Sequence, residues 1–390
     1  MTSVDVLIAG AGPAGSALAA ALARGGASVL LVESAVHPRP KTCAEYASPR
    51  IVEELARLDV ADAWMGAAVP LRGMNLYAGG RSTQIRYADG KGPRDAWGVD
   101  RRSFDARLAE HAVRTGAVLR ERARLVSLIC EGRTVRGATL RDQATGRDEI
   151  VSAAWTVGAD GTRSNVSRLV GVDRPVRFPR RLGLVAHYSG VAGLTDHGEM
   201  HVGRGYYLGL APTPGGELNV GMALSMGTPG QTANARFDAA IAGLPAVARR
   251  LAHSERLTSI RGAAPIGHRV SSAAGPGWLL VGDAAGFVDP FTGEGIHRAL
   301  RSARAAADAI LAGGDVAAAY RAQRRRAFAA KTALSWLVQG FLAAPPLLDR
   351  AVARLSSRPR AALRLGSALG DCRPATDALS PAALLEVFAP

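Results

Sequence analysis

The chain has 390 residues and a formal net charge of +15; 48% of its residues are hydrophobic and 21% are charged. This composition excludes a disordered chain and indicates a globular protein large enough for two closely associated domains. Lys41, Lys91 and Lys331 are the only lysines, so the excess charge indicates either an arginine bias or attraction to anions such as dinucleotide phosphates or a lipid surface. An aromatic content of 5% and the lack of a recognisable motif argue against a nucleic acid partner.

The three cysteines, Cys43, Cys130 and Cys372, are widely spaced and contain no CxxC pair. This spacing argues against a disulfide framework and against a metal site. The apolar run at the amino terminus is interrupted by glycines and lacks a basic leader, unlike a signal peptide. No stretch reaches about 18 uninterrupted apolar residues, so no membrane span is predicted, and we expect a cytoplasmic protein.

The first elements in chain order form a βαβ unit. Residues 4–9 are predicted to form a buried strand, residues 13–24 an alanine-rich helix, and residues 28–33 a second buried strand. A polar loop follows, and the next helix is expected to begin with Ser48 as its N-cap and Pro49 at its first position.

Residues 74–90 have strand–turn–strand character around a Gly-Gly pair. Residues 100–116 predict an amphipathic helix, because Phe104, Leu108 and Ala112 recur on one face. We therefore expect a β-hairpin and then a helix that packs on the first domain.

Alternating residues predict a β-meander over 117–158, and many short strands with glycine turns predict an antiparallel sheet over 173–265. Residues 277–286 return to a buried strand, and a long helix is predicted over 296–312. The remainder is predicted to be helical after residue 316, with a break at a Pro-Pro pair.

The predicted fold class is α/β. A Rossmann-like FAD domain with a parallel sheet carries an inserted antiparallel-sheet substrate domain and a helical carboxyl terminus. The predicted domains are a discontinuous FAD-binding domain of residues 1–73, 96–172 and 266–315, a substrate domain of residues 74–95 and 173–265, and a helical region of residues 316–390.

A GxGxxG motif lies between the first strand and the first helix. Gly10 allows a tight turn, Gly12 lets the backbone approach a pyrophosphate, and Gly15 permits close helix–strand packing. The helix amino terminus favours phosphate, and the Glu33 carboxylate at the end of the second strand can accept from ribose hydroxyls. The residues predicted to bind this dinucleotide are Gly10, Gly12, Pro13, Ala14, Gly15, Glu33 and Ser34.

Two later motifs distinguish FAD from NAD as the dinucleotide that the chain is expected to bind. "VGADGTRSNVSRLVG" at 157–171 and "GWLLVGDAAGFVDPFTGEGIHRAL" at 277–300 follow the GxGxxG motif in the chain. Together the three resemble the glutathione-reductase-like flavoproteins, in the branch of aromatic hydroxylases, geranylgeranyl reductases and flavin halogenases. This resemblance covers roughly residues 1–310 and implies FAD as the cofactor.

The resemblance also implies roles for single residues. Asp283 would hold the ribityl chain of FAD beside Gly282, Asp160-Gly161 would lie near the pyrophosphate, and Arg101 would contact the ADP part. In "DPFTGEGI", backbone N–H groups at the start of the predicted helix can stabilise the negative charge of a reduced flavin. The further cofactor-binding candidates are Lys41, Pro290, Gly293, Gly295 and Ile296.

The segment "RPKTCAEYASPR" is similar to the geranylgeranyl-reductase pattern through Lys41, Cys43 and Ser-Pro-Arg. Ala44-Glu45 departs from that pattern, in which glycines occur, and the strand at 205–224 lacks its tryptophan and lysine. Halogenation is disfavoured because the Trp-x-Trp-x-Ile-Pro motif of flavin halogenases is absent. The predicted catalytic residues are Cys43, Glu45, Tyr207 and His297, with His187, Tyr188 and Tyr206 as further polar candidates.

Three functional hypotheses follow from the resemblance. The first is a monooxygenase that transfers one oxygen atom of O2 to a hydrophobic, aromatic or polyketide-like molecule of secondary metabolism. The second is a reductase or dehydrogenase of the geranylgeranyl-reductase type, and the third is a non-catalytic escort resembling the Rab GDP-dissociation inhibitors. Since the chain holds one GxGxxG motif, NAD(P)H is expected as a transient electron donor, with a separate reductase as the alternative.

The segment at 328–348 is strongly apolar and follows a basic stretch at 321–326. It can pack on the FAD domain, cap a hydrophobic substrate channel or lie on a membrane surface. Packing is favoured over the membrane surface, and an apolar substrate is expected in each case.

Overall fold

The computed structural model describes residues 2–60, 66–226 and 230–388. The strands are, in chain order, β1 Thr2–Ala9, β2 Val29–Val32, β3 Tyr46–Ala47, β4 Ala68–Leu71, β5 Met74–Ala78, β6 Arg81–Ile85, β7 Tyr87–Asp89, β8 Gly92–Arg94, β9 Ala96–Val99, β10 Val118–Arg120, β11 Ala123–Glu131, β12 Thr134–Asp142, β13 Asp148–Gly158, β14 Asp173–Arg174, β15 Arg181–Ser189, β16 Gly198–Gly203, β17 Tyr206–Thr213, β18 Glu217–Ser225, β19 Glu255–Arg256, β20 Arg261–Ala263, β21 Arg269–Val270, β22 Ala274–Gly275 and β23 Trp278–Leu280.

The described α-helices are Pro13–Arg24, Ile51–Arg57, Arg101–Arg114, Asn165–Leu169, Ala233–Ala242, Pro245–Leu251, Gly295–Ala312, Val316–Ala343, Pro345–Ser357, Pro359–Leu369, Thr376–Leu379 and Pro381–Phe388. Short 3₁₀ turns span Gly161–Arg163, Pro214–Gly216, Gly282–Ala285 and Pro290–Thr292.

The first sheet has the order β10-β2-β1-β13-β12-β11, with β23 parallel to β13 and β22 beside β23. Its parallel part places Leu7 opposite both Leu30 and Thr156, all of them buried. The carboxyl ends of β1, β2, β13 and β23 therefore share one edge, which is where open α/β sheets bind ligands. This edge brings together the end of β1 at Ala9 and the end of β23 at Leu280, which are far apart in the chain.

The second sheet has the order β19-β15-β18-β17-β16-β5-β6, with β20 also paired to β15. Its pairs are antiparallel except for β16 with β5, which run parallel. The hairpin around Gly79 and Gly80 is confirmed as β5–β6, which joins this sheet from an earlier part of the chain. The sheet also carries two helices, Ala233–Ala242 and Pro245–Leu251, which the sequence did not indicate.

Most local predictions are confirmed, including the α/β fold class with its parallel sheet, second sheet and helical carboxyl terminus. The helix Arg101–Arg114 buries Phe104, Leu108 and Ala112 as expected. The predicted start of the second helix, with Ser48 as N-cap and Pro49 at the first position, was wrong. The helix begins at Ile51, because the Ser48 carbonyl oxygen accepts the Ile51 N–H in a turn that precedes the helix. The domain boundaries stay a prediction.

The carboxyl-terminal helices pack on both sheets. The long helix Val316–Ala343 buries Tyr320, whose hydroxyl donates to the Leu280 carbonyl oxygen at 2.7 Å. The chain then bends, and Pro345 opens the next helix at a position where no intrahelical N–H bond is lost. Within the described residues no single helix is long and apolar enough to cross a membrane, although the two helices at this bend pass the test together at an angle of 111°.

Candidate flavin site

The glycine-rich turn has the geometry that the motif predicts. Gly10 has φ +104°, and its N–H donates to the Val32 carbonyl oxygen at 2.8 Å. A Cβ at Gly15 would lie 1.8 Å from the Gly10 carbonyl oxygen, so helix and turn touch there. At Gly12 an added Cβ would meet only the tip of Arg39, at 3.6 Å, which leaves the turn open on the side where a pyrophosphate would bind.

Pro13 is the first residue of the helix that follows, and Ala14 is buried in its first turn. A Cβ at Gly282 would lie 2.9 Å from the Ala14 Cβ, and Gly282 itself has φ +59°. The first and the last predicted FAD motifs therefore meet, and a glycine is needed at their contact.

Glu33 is buried at the end of β2 and accepts from the Ala11 and Ala35 N–H groups, each at 3.1 Å. The Ser34 hydroxyl donates to the same carboxylate at 3.1 Å. Burial acts to raise the pKa of Glu33, but the Arg39 charge and the two N–H groups outweigh it, so the pKa is lowered. The carboxylate is thus held charged beside the glycine-rich turn, as an acceptor for ribose hydroxyls requires.

Arg39 is a residue that the sequence analysis missed. Its guanidinium lies 3.0 Å from Glu33 and 3.4 Å from Asp105, and Asp105 in turn pairs with Arg101 through two bonds of 2.7 and 2.8 Å. Alternating charges therefore connect the end of β2 to the start of the helix Arg101–Arg114. The one sequence signal was the position of Arg39 between two prolines, six residues after the strand-ending glutamate.

Lys41 reaches the second predicted motif, since a Cβ at Gly161 would lie 3.5 Å from its amine. The side chain is accessible to solvent but lies in a cleft, and the loss of solvation together with the Arg101 charge lowers the pKa of Lys41. Asp160 accepts from the Asn165 N–H at 2.6 Å, while its other carboxylate oxygen is buried without a partner. Burial raises the pKa of Asp160.

Asp283 follows β23 in the 3₁₀ turn Gly282–Ala285 and is half-buried. Among the described residues its carboxylate has no hydrogen bond or ion pair. Burial raises the pKa of Asp283, and the charges of Lys41 and Arg298 partly offset this effect. An unpaired carboxylate at a strand end, in a cleft, is suited to accept from the hydroxyls of a sugar-like chain.

The loop before the helix Gly295–Ala312 is rigid. Asp289 accepts from the Phe291 N–H at 3.1 Å, Pro290 opens a 3₁₀ turn, and Gly293 closes it with φ +65°. The Gly293 N–H donates to the Pro290 carbonyl oxygen at 3.0 Å, so it is already engaged within the turn. This N–H is one of those expected to stabilise flavin charge, and in the structure it is engaged within the turn, so that role stays a prediction for the N–H groups of Glu294 and Gly295.

Gly295 is the first residue of that helix, and a Cβ there would meet nothing within 4 Å. Ile296, the second residue, is buried beneath it. The first N–H groups of a helix have no intrahelical acceptor and carry the positive end of its dipole. The N–H groups that an anionic group could reach here are therefore those at the start of the helix Gly295–Ala312.

The predicted catalytic residue Glu45 is buried and fully engaged. Its carboxylate accepts from the Arg101 N–H at 3.2 Å and lies 2.8 Å from His187 Nε2. The hydrogen bond that the His187 ring donates to Glu45 raises the pKa of His187. Asn219, which the sequence analysis did not single out, donates to the Cys43 carbonyl oxygen at 3.1 Å and fixes this loop on the second sheet.

Cys43 is half-buried, two residues after Lys41. Burial raises the pKa of the Cys43 thiol, and the nearby Arg101 charge offsets only part of this rise. The thiol is therefore protonated at neutral pH, which suits a proton donor better than a nucleophile.

Tyr207 is buried, and its hydroxyl donates to Asp289 at 2.6 Å. Burial and the Asp289 charge raise the pKa of Tyr207 well above its ordinary value. Arg181 pairs with the same carboxylate at 2.5 Å and also donates to Gln339 at 2.5 Å. Tyr207 thus anchors the flavin loop to β17, and its ring packs edge-on against Phe291 with centroids 5.0 Å apart.

His297 lies in the first turn of the helix Gly295–Ala312, and its Nδ1 is 3.0 Å from Asp371. Lys331 lies 3.1 Å from Asp371 and 3.6 Å from Glu294, and all of these side chains are buried or nearly so. His297 is therefore part of a charged cluster with the carboxyl-terminal helices. Asp371 is 74 residues away in the chain, so no local pattern indicated this pairing.

These residues fit FAD. The Gly12 turn is open, the Glu33 carboxylate is charged beside it, and the Gly295 helix start is unobstructed. The unpaired Asp283 carboxylate and the Lys41 amine are close enough for their charges to influence each other. A cofactor with a pyrophosphate, two hydroxyl-bearing parts and an anionic ring would meet complementary groups along this cleft.

The fold and this cleft define a flavoprotein of the Rossmann-like class. The FAD binding domain family matches residues 3–331, and the chain belongs to that family. Among curated proteins, the chain is 30% identical over 327 residues to the menaquinone reductase of Mycolicibacterium smegmatis, covering 80% of this chain and 78% of that protein. It is 31% identical over 324 residues to the digeranylgeranylglycerophospholipid reductase of Methanosarcina acetivorans, covering 80% and 77%.

Solved structures agree on the fold. The flavin-dependent brominase Bmp2 matches with a TM-score of 0.83 at 23% identity, covering 95% of this chain and 94% of that one. A geranylgeranyl bacteriochlorophyll reductase-like protein from Thermoplasma acidophilum matches with a TM-score of 0.82 at 23% identity, covering 100% and 97%. At these identities the likeness shows the fold alone. The protein is an FAD-dependent oxidoreductase.

Proposed function

We propose that this protein is an FAD-dependent reductase that saturates a carbon–carbon double bond in an apolar substrate of the isoprenoid type. The supporting observation is that relatives matching about four-fifths of the chain are named menaquinone reductase and digeranylgeranylglycerophospholipid reductase. Both substrate names describe molecules with long isoprenoid chains. These relatives favour reduction over the transfer of an oxygen atom from O2.

Reduction of an alkene adds a hydride to one carbon and a proton to the other, and FAD, when bound, supplies the hydride. Electrons come from NAD(P)H in this proposal, or from a separate reductase protein. The chain's own task is to hold the cofactor through the groups described above, to exclude water and to deliver one proton.

The Cys43 thiol is the proton donor that we propose. It retains its proton at neutral pH, because burial raises its pKa, and it lies close in the chain to Lys41 in the cleft. Tyr207 is also protonated, but it is committed to Asp289. A Cys43→Ser variant is expected to lose turnover while it keeps flavin content and substrate binding; unchanged turnover would remove Cys43 from the mechanism.

An apolar cluster beside the flavin loop offers a place for the substrate chain. Met200, Tyr207 and Ala223 form its buried part, with Phe291 and Leu342 packed against it. It lies between β16–β18 of the second sheet and the loop that begins the helix Gly295–Ala312. An extended hydrocarbon laid against the partly buried Phe291 and Leu342 would place its end near the flavin loop without burying polar groups.

The experiment that tests reduction uses purified protein with NADPH under argon and under air. A menaquinone and a geranylgeranyl lipid serve as substrates, and products are weighed by mass spectrometry. A gain of two hydrogen atoms per double bond without O2 supports the proposal. A gain of one oxygen atom that requires O2 would support the monooxygenase instead and overturn it.

A further inference from the structure

A cavity of about 300 Å³ opens on the surface beside the paired strands β14 and β21, and none of its lining residues is among those assigned to the flavin cleft. Its walls contain three arginines, Arg174, Arg177 and Arg269, together with Pro175, Val270 and Ser271. Guanidinium groups that converge on one cavity repel each other unless an anion lies between them. The composition of the walls therefore indicates an anionic ligand.

The charges of these arginines are not neutralised by protein carboxylates. Among the described residues, Arg177 and Arg269 form no ion pair, and Arg174 donates only to the backbone oxygens of Gly171 and Asp173. The Asp173 carboxylate lies 3.5 Å from His268 Nδ1, and among the described residues it forms no ion pair with any of the three arginines. The cavity is thus cationic, and forked guanidinium donors match the geometry of a phosphate group.

Exposed aromatic side chains adjoin this cavity. Phe178 follows Arg177 directly in the chain and is 50% exposed, and it stacks on Trp336, which is 43% exposed, with centroids 6.4 Å apart. Two large aromatic rings on a surface are costly in water unless something apolar covers them.

The helix that carries Trp336 shows a continuous exposed face. Between the basic end of this face and the bend at Pro345, every exposed position at helical spacing is apolar or glycine. The members of this face are Arg325, Ala329, Ala333, Trp336, Gly340 and Ala343. Beyond the bend, Leu347 is a separate exposed apolar side chain, with 48% exposure. Small residues between the aromatic and the basic ends make the face smooth enough to lie flat on a surface.

We infer that this combined surface, the arginine cavity and the exposed helix face, docks the protein on an anionic lipid membrane. The arginines hold lipid phosphates, and the stacked rings of Phe178 and Trp336 enter the boundary between headgroups and acyl chains. A soluble phosphate compound would satisfy the arginines but leave the aromatic pair uncovered. The inference stands apart from the proposed function, because none of these residues belongs to the flavin cleft.

The test measures co-sedimentation of the FAD-loaded protein with vesicles of phosphatidylcholine alone or of phosphatidylcholine mixed equally with phosphatidylglycerol. The wild type is expected to bind the mixed vesicles and to be released by high salt. An Arg177→Ala/Arg269→Ala variant is expected to bind them about 30-fold more weakly, because each basic group near an anionic surface contributes roughly fivefold. Its matched control is Arg133→Ala/Arg147→Ala, which removes the same charge from exposed hairpin turns of the first sheet.

The apolar half is tested with Trp336→Ser, and Ile150→Ser serves as its control, because Ile150 is 45% exposed on β13. Trp336→Ser is expected to weaken binding to the mixed vesicles at low salt, where the wild type binds, and the control is expected to match the wild type. Each variant changes an exposed side chain, and flavin content and thermal unfolding verify that it folds.

The dissociation constant for NADPH, measured on the same variants, separates the two sources of phosphate. If Arg177→Ala/Arg269→Ala weakens NADPH binding but leaves vesicle binding equal to that of its control, the cavity takes a soluble phosphate and the membrane inference is overturned. Equal vesicle binding by Trp336→Ser and the wild type would overturn it as well. Failure of substrate reduction would overturn only the proposed function.

Discussion

Glu45 has a backbone φ of +56°, a conformation that costs most residues free energy and that glycine adopts readily. The geranylgeranyl-reductase pattern that this segment resembles has glycines here. In this chain the carboxylate binds the first N–H of the helix Arg101–Arg114 and also His187, so two contacts offset the backbone cost. The sequence suggested an acid, a base or a substrate anchor, but the geometry gives a buried junction between helix and sheet.

The Glu45–His187 pair makes stability depend on pH. Glu45 raises the pKa of His187, so the contribution is full below the unfolded value of 6.5 and is lost as the pH rises through the folded value. Glu45→Gln, which keeps the acceptor for the helix, is expected to cost roughly 1–2 kcal/mol at about pH 6 and less at about pH 9. Urea unfolding at both pH values measures this difference. An equal cost at both would show that His187 does not change its charge between these pH values and would contradict the expected pH dependence.

The variant also addresses the catalytic prediction for Glu45. A structural junction predicts that Glu45→Gln retains the turnover number once flavin is bound. A large loss of turnover in fully flavin-loaded protein would instead restore Glu45 as an acid or base.

Substitutions at Gly12 and Gly15 are expected to distinguish the requirements of cofactor binding from those of folding. Gly15→Ala places a methyl group against the Gly10 carbonyl oxygen and is expected to cost at least about 2 kcal/mol of stability, even without FAD. Gly12→Ala meets open space in the protein alone, so its FAD-free form is expected to unfold like the wild type while its affinity for FAD falls. Thermal unfolding and FAD titration of both variants check this; equal thermal shifts would contradict it.

At the scale of elements, ion pairs with residues of the carboxyl-terminal region stabilise the start of the helix Gly295–Ala312. Lys331 lies between the buried carboxylates of Glu294 and Asp371, and His297 also faces Asp371. Burial acts to raise the pKa of Asp371, but the Lys331 and His297 charges lower it well below its usual range. This cluster fixes the start of the flavin helix against the carboxyl-terminal helices.

Lys331→Met leaves both carboxylates without their shared cation and is expected to cost roughly 3–5 kcal/mol. Lys91→Met is the matched control, because Lys91 is exposed, and a change within about 0.5 kcal/mol is expected for it. Urea unfolding measures both. A small effect of Lys331→Met would mean that the cluster contributes little to the stability of the fold.

The elements that could be predicted are those whose sequence pattern lies within one short stretch of the chain. Phe104, Leu108 and Ala112 recur every four residues, which places them on one face of a helix. The glycine motif from Gly10 to Gly15 is equally local, because all of its residues lie within six positions of the chain. The partners of the candidate catalytic residues could not be predicted in this way. Glu45 meets a residue 142 positions away and Tyr207 one 82 positions away, and such pairs depend on how the two sheets are placed.

At the scale of the whole molecule, FAD is expected to join distant parts of the chain. Its predicted contacts extend from Gly12 near the amino terminus to Gly295, where the last strand of the first sheet passes into the flavin helix. Removal of FAD is therefore expected to lower the free energy of unfolding by about 2.7 kcal/mol relative to protein in about 100 times the dissociation constant of FAD. Thermal unfolding across an FAD titration measures this, and a midpoint independent of FAD would contradict it.

Because the chain has only three lysines, chemical modification of Lys41 can report whether the cofactor is bound. Lys331 is buried, whereas Lys91 lies on a turn and Lys41 faces the cleft open to solvent. An acylating reagent at neutral pH should therefore modify two side chains in the FAD-free protein and one when the cofactor covers the cleft. The lowered pKa of Lys41 makes its amine the faster of the two to react, so peptide mass mapping would report cofactor occupancy from a single residue.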